Sequence, residues 1–240
     1  AAFFIPATVC ILTGITYLWM VEADSAGKGA RKANPDVRLS RNATFVVFGL
    51  FIIIALGAGL AFNVITVSLP KLIDERAGQG ISLVAVGSIA TAVFVVGGLA
   101  QLAVGRLVER FPPHVLFVAV TLLLFAGAAW SVVATGPLLL AALALAMAGV
   151  YGQVTVNDIV LARYTADAWR GRVYAVRYFL VFVTAGVAVA SIGFLHARGG
   201  FDLVLLVTAG ICLTFFLATL GLAAIVSGVE TRNSAAVPAE

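Results

Sequence analysis

The sequence predicts an all-α integral membrane protein with seven transmembrane helices. Three observations predict it. First, 62% of the 240 residues are hydrophobic and only 11% are charged, whereas a soluble domain has roughly 45–50% apolar and about 25% charged residues. At a mean hydropathy of +1.11, no water-soluble core could enclose so much apolar surface. Second, the apolar residues run on continuously for about 20 positions at a time, the helix length that crosses roughly 30 Å of hydrocarbon. They do not alternate as barrel strands would. Third, the basic residues fall unevenly on the connections, as they do when alternate connections lie on opposite sides of a bilayer.

The first run is Ala2–Met20. It opens on Ala1-Ala2-Phe3-Phe4, without the charged start of a signal peptide. The expectation is a chain entered in mid-membrane, with residues 1–20 the last helix of a preceding bundle. Residues 21–43 are polar, contain Gly27, Gly29, Asn34 and Pro35, and read as a flexible cytoplasmic linker. Six runs follow: Thr44–Leu69, Ile81–Val104, Pro113–Val133, Pro137–Ala162, Val173–Leu195 and Leu203–Val226. Their connections are short, Ala134-Thr135-Gly136 being the tightest. Residues 44–228 are therefore expected to form one six-helix bundle, with 229–240 a cytoplasmic tail. Pro112 and Pro113 suit a helix start, because the first turn has no intrahelical donor to lose.

Sidedness follows from the charges. Lys28, Arg31, Lys32, Arg38, Arg41, Arg106, Arg110, Arg163, Arg170, Arg172, Arg177 and Arg232 fall on one side, and only Lys71, Arg76 and Arg198 on the other, so one side holds twelve of the 15 basic residues. That side is assigned to the cytoplasm, and the membrane to a bacterial inner membrane. The net charge of +4 forms no basic, aromatic-laced face, so no nucleic-acid partner is expected. Cys10 and Cys212 lie in apolar runs, and His114 and His196 fall on opposite sides. No metal, cofactor, nucleophile motif or phosphate loop is indicated.

Polar side chains within the spans narrow the candidates, since such residues usually face a bundle interior or a water-filled cavity. The second run has Asn63, the third Gln101, the fifth Gln153, Asn157 and Asp158, and the sixth Arg177. The first, fourth and seventh have no amide or formally charged residue, which suggests triplets of two inner helices and one outer. Gln153 and Asn157 are four apart and share a face. With Asn63, Tyr151 and Thr155 they can line a polar cavity, or simply bond between helices. Asp158 is the one acid inside a span. It admits two readings: a proton-coupling carboxylate, or a partner for Arg163, Arg172 or Arg177 near the cytoplasmic interface.

The segment Val104-Gly105-Arg106-Leu107-Val108-Glu109-Arg110-Phe111-Pro112-Pro113-His114 resembles the loop signature of the major facilitator superfamily, Gly-x-x-x-Asp-Arg-x-Gly-Arg-Arg/Lys. Gly105, Glu109 and Arg110 match its spacing, with Glu in place of Asp and Pro112 in place of the second glycine. The resemblance extends to the helix triplets, the long basic linker and the segment 165–178. It implies the six-helix C-terminal bundle of that fold plus one preceding helix. The complete protein would be a twelve-helix secondary transporter working by rocker-switch alternating access, its partners the lipid bilayer, a small-molecule substrate, a coupling proton if Asp158 serves that role, and the N-terminal bundle of the same protein. It also turns Gly105, Glu109 and Arg110 from a solvated turn into a cytoplasmic latch, with Arg170, Arg172 and Arg177 as facing groups. A seven-helix receptor or sensor is the alternative. The three lysines all lie in connections, which excludes the usual retinal attachment. An enzyme would need converging acids, histidines or a nucleophile–base pair, and Asp158 stands alone among the spans.

Overall fold

A computed structural model of the chain describes residues 4–20, 41–76, 80–165 and 167–235. The chain divides into two compact units, Ala1–Asn34 and Pro35–Glu240. In the first, α1 spans Phe4–Met20. Its Thr8, Thr13 and Thr16 hydroxyls each donate to the carbonyl four residues back at 2.8 Å. Its threonine hydroxyls are thus satisfied within the helix, as suits a lipid environment. The basic residues expected in the linker from Lys28 to Arg38 and the side chains of Arg41 and Arg232 lie outside the described residues.

The second unit contains α2 (Arg41–Arg76), α3 (Leu83–Leu107), α4 (Pro113–Val133), α5 (Gly136–Tyr164) and α6 (Asp167–Ala235). Five helices are long and apolar enough to cross a membrane, and no strand occurs among the described residues. In α6 the apolar stretch runs for 60 residues but is broken at Gly199 and Gly200, where the backbone leaves helical geometry. Gly200 has φ +59° and ψ −159°, a conformation essentially restricted to glycine. The break separates a first arm, 167–198, from a second arm, 201–235.

Local chemistry explains the boundaries. Ser82 caps α3, its hydroxyl accepting from the Ala85 amide at 3.2 Å. Pro113 opens α4, as expected. Pro70 does not end α2, which continues to Arg76, beyond the Leu69 boundary the sequence suggested. Leu69, Leu72 and Ile73 are fully buried, so tertiary packing holds the turn that the proline weakens.

α2 packs against both arms of α6. α4 is wedged between α5 and the second arm, and α3 rests on α5. The core lies among these contacts, with Phe117 of α4 set edge-on to Phe215 of the second arm at 6.0 Å. The closest approach is α4 on α5. A Cβ placed on Gly127 would lie 2.3 Å from the Ala146 backbone nitrogen, and one on Gly149 would lie 2.5 Å from that of Leu124. Only glycine at both positions lets the two backbones meet so closely.

Polarity does not track burial within this unit. α4 has no amide or formally charged residue, yet it buries Leu116, Phe117, Val120, Thr121 and Leu124. α3, which contains Gln101, is the least covered span, with 22% of its most apolar stretch buried against 44% or more in the others of this unit. The triplet rule therefore does not describe coverage inside this bundle, because α4 fills the gap between α5 and α6.

Candidate functional site

The polar residues of α5 lie toward its C-terminal end. Gln153 and Asn157, one turn apart, are each 3% exposed. Gln153 Oε1 and Asn157 Nδ2 have no hydrogen-bond partner among the described residues. Asp158 follows directly and is half-buried.

The first arm of α6 presents Arg170, Tyr174 and Arg177, spaced i, i+4, i+7 and so on one helical face. The Arg177 guanidinium pairs with the Asp158 carboxylate. The Tyr174 hydroxyl donates to the Asp158 backbone carbonyl at 2.9 Å, and Arg170 Nη2 donates to the Ala162 carbonyl at 3.0 Å. The last carbonyls of a helix have no intrahelical partner and gather partial negative charge. Ala162 is among those carbonyls, so Arg170 supplies its missing donor, while Tyr174 adds a bond to the Asp158 carbonyl further inside the helix and Arg177 answers the Asp158 carboxylate. Arg177 is itself buried, 6% exposed, so Asp158 is its compensating charge. Tyr174 was not foreseen from the sequence, although its spacing from Arg170 and Arg177 was there to read.

The other residues singled out from the sequence are placed as follows. Gly105 lies near the end of α3, with open space where a Cβ would stand. Glu109 and Arg110 are exposed in the turn after it. Among the described residues Glu109 forms no ion pair with Arg170, Arg172 or Arg177. Arg172 instead lies over the Trp169 ring at 4.8 Å. The Arg163 side chain lies outside the described residues. Asn63 donates to its own helix, to the Gly59 carbonyl at 2.8 Å. Tyr151 is half-buried between α2 and α3, its ring 5.9 Å from Phe62 and 6.4 Å from Phe94. Thr155, one turn on, is also half-buried.

The opposite end of the unit carries a second polar cluster. His196 Nε2 sits 3.1 Å from both carboxylate oxygens of Glu75, and Lys71 reaches Glu75 at 3.5 Å. Arg76 pairs with Asp202, and the Phe201 ring meets His196 edge-on at 4.8 Å. The C-terminus of α2 is thereby tied to both sides of the α6 break. The sequence offered these charges only as a solvated loop and an isolated histidine.

The Major Facilitator Superfamily family model matches residues 51–239. The chain belongs to the major facilitator superfamily. Two solved structures have the same fold as this superfamily bundle. One is the superfamily transporter FucP in its outward conformation, with TM-score 0.64, 19% identity, and 75% of this chain and 43% of that chain covered. The other is a variant of the E. coli fucose:proton symporter FucP, with TM-score 0.65, 17% identity, and 76% and 45% covered. The chain thus spans less than half the length of the solved superfamily members it matches. No curated protein matches it significantly in sequence. As a superfamily member it is a multi-pass membrane protein, and the family points to transport rather than to enzymic chemistry.

Proposed function

We propose that this chain is the C-terminal bundle, with one helix before it, of a twelve-helix secondary transporter that carries a small molecule by rocker-switch alternating access. On this reading α2–α5 and the two arms of α6 are six spans and α1 is a seventh. The linker, the α3–α4 turn, the α5–α6 turn and the tail face the cytoplasm of a bacterium, as the basic bias supports. The partner bundle would precede α1 in the full protein, in keeping with the share of FucP that the chain covers.

The observation that carries the proposal is the buried amide pair on α5. An unpartnered buried polar atom costs about 1–3 kcal/mol. Gln153 Oε1 and Asn157 Nδ2 are two such atoms one turn apart, enclosed within this unit, a cost that a substrate would offset in a state of the cycle that opens this face of α5. Asn63, Tyr151 and Thr155 complete the polar wall. Asp158 and Arg177 then act as a gate network at the α5 end, and a coupling proton on Asp158 would have to displace Arg177. Gly105, Glu109 and Arg110 remain the proposed latch, with their uncovered side available to the other bundle.

Uptake into proteoliposomes tests this. The chain joined to its upstream bundle is expected to transport, the 240-residue chain alone is not, and Asn157→Leu in the joined protein is expected to abolish uptake while the protein stays folded. Transport by the chain alone, or full uptake by Asn157→Leu, would overturn the proposal. Asp158→Asn separates the two readings of that residue: loss of proton-driven uptake with exchange intact would mark coupling, and loss of both would mark the gate.

A further inference from the structure

A groove of about 310 Å³ runs between α2 and the two arms of α6. Its walls include Leu60 and Val64 from α2, Val187 and Phe194 from the first arm, and Val204 and Val207 from the second. Two hydroxyls line the wall, Ser191 and Thr208, and that of Thr208 is spent on the Val204 carbonyl at 2.7 Å; the other nine lining residues are aliphatic or aromatic. An apolar cavity of roughly 150 Å³ accommodates benzene, and this one has about twice that volume, enough for a stretch of alkyl chain. It is also elongated. Val187 to Phe194 is two helical turns, about 10 Å at 1.5 Å per residue. The groove leads from the α6 break inward along the spans, as an acyl chain leaves a headgroup.

Its mouth carries a cation. Arg198 lies one turn beyond Phe194, its guanidinium 3.9 Å above the ring of that same wall residue. Arg198 forms no ion pair among the described residues. Two of the acids at this end are engaged elsewhere, Glu75 by His196 and Lys71 and Asp202 by Arg76. A guanidinium resting over an aromatic ring, with no carboxylate paired to it, has N–H groups to offer a phosphate. Val187, Phe194 and Val207 are partly exposed, so the groove is open along its side rather than sealed in the core.

We infer that this groove is a binding site for one phospholipid, with an acyl chain along Val187, Phe194 and Val207 and the phosphate at Arg198. The site lies at the opposite end of the unit from the Asp158 network. It needs the bilayer but not the transport cycle.

Photocrosslinking of the full chain tests it. A benzophenone amino acid is placed at Val207, or at exposed Val95 on α3 as the comparison, in vesicles of phosphatidylethanolamine and phosphatidylglycerol. After irradiation the intact mass is measured. The expected result is one phospholipid adduct at position 207, severalfold above position 95, with Arg198→Ala lowering the yield severalfold at 207 and leaving 95 unchanged. That internal comparison separates loss of the site from loss of the fold. An adduct to a protein segment at 207, a yield no higher than at 95, or indifference to Arg198→Ala would overturn the assignment.

Discussion

The bundle is tied by ion pairs at both ends, and the two ties are built differently. At the α5 end, Arg177 keeps 7% of its side chain exposed and Asp158 39%, with Tyr174 and Arg170 bonded to backbone carbonyls around them. At the α6 break, Asp202 is 81% exposed and Lys71 61%. The first joins the consecutive helices α5 and α6, 19 residues apart at the ion pair; the second joins α2 to α6, more than 120 residues apart. The dependence on a partner is strongest at the first, where the Arg177 side chain is 7% exposed against 18% for Arg76, because a buried guanidinium without a counter-charge is costly while an exposed group turns to water. The α5 end is therefore a structural commitment, and the other a set of weak, salt-sensitive links. A proposed gate belongs where breaking a contact changes the energy of the state, which is the α5 end.

The largest expected effect comes from Asp158→Ala. It strands Arg177 and should destabilise the folded chain toward the lower end of the roughly 3–5 kcal/mol typical of a broken buried pair, read as a fall in thermal denaturation temperature in detergent. Adding Arg177→Met should recover much of that loss. If the double variant is as unstable as the single, the buried-charge account of this end is wrong. Next comes Gly149→Ala, midway between the ends, where packing alone is at stake. Its new Cβ meets the Leu124 backbone, and overpacking of this kind costs about 1–3 kcal/mol. A neutral result would mean that α4 and α5 can separate without penalty.

A smaller effect, about 0.5–1.5 kcal/mol, is expected for Thr219→Val, which removes the buried hydroxyl pair Thr121–Thr219 at 2.8 Å but leaves Thr121 bonded to the Phe117 carbonyl. The smallest is Asp202→Asn at the exposed end, about 0–1 kcal/mol and shrinking as salt is added. Should Asp202→Asn rival Asp158→Ala, the contrast between the two ends would collapse.

Much of the fold was legible in the sequence. Pro113–Val133 is the same helix in both readings, since a proline pair opens it and a polar turn closes it. The α6 break falls at Gly199 and Gly200, inside the connection expected between the last two runs. The expected run stopped at Leu69, but α2 continues through Pro70 to Arg76, because tertiary burial of Leu69, Leu72 and Ile73 outweighs the loss of one local hydrogen bond. In the candidate site, Asp158 and Arg177 could be singled out because charge in an apolar run is rare. Pairing Glu109 with the arginines of the sixth run could not be checked by spacing, and the structure gives Arg177 to Asp158 instead. His196 and Glu75 lie 121 residues apart, and nothing local marks either as the other's partner.

The sequence by itself determined that the chain is helical and membrane-borne, where α3, α4 and α5 start and stop to within about three residues while α2 and α6 run further than expected, and which side chains are polar where polarity is costly. Those properties follow from composition and from hydrogen bonds made within a few residues. Tertiary structure decided which arginine meets Asp158, that α4 rather than α3 is buried in this unit, and that α2 and the two arms of α6 leave a groove beneath Arg198. Each of these depends on how whole helices approach one another, chain neighbours as well as distant ones, and that approach is set by the summed shapes of many side chains, which no single motif records.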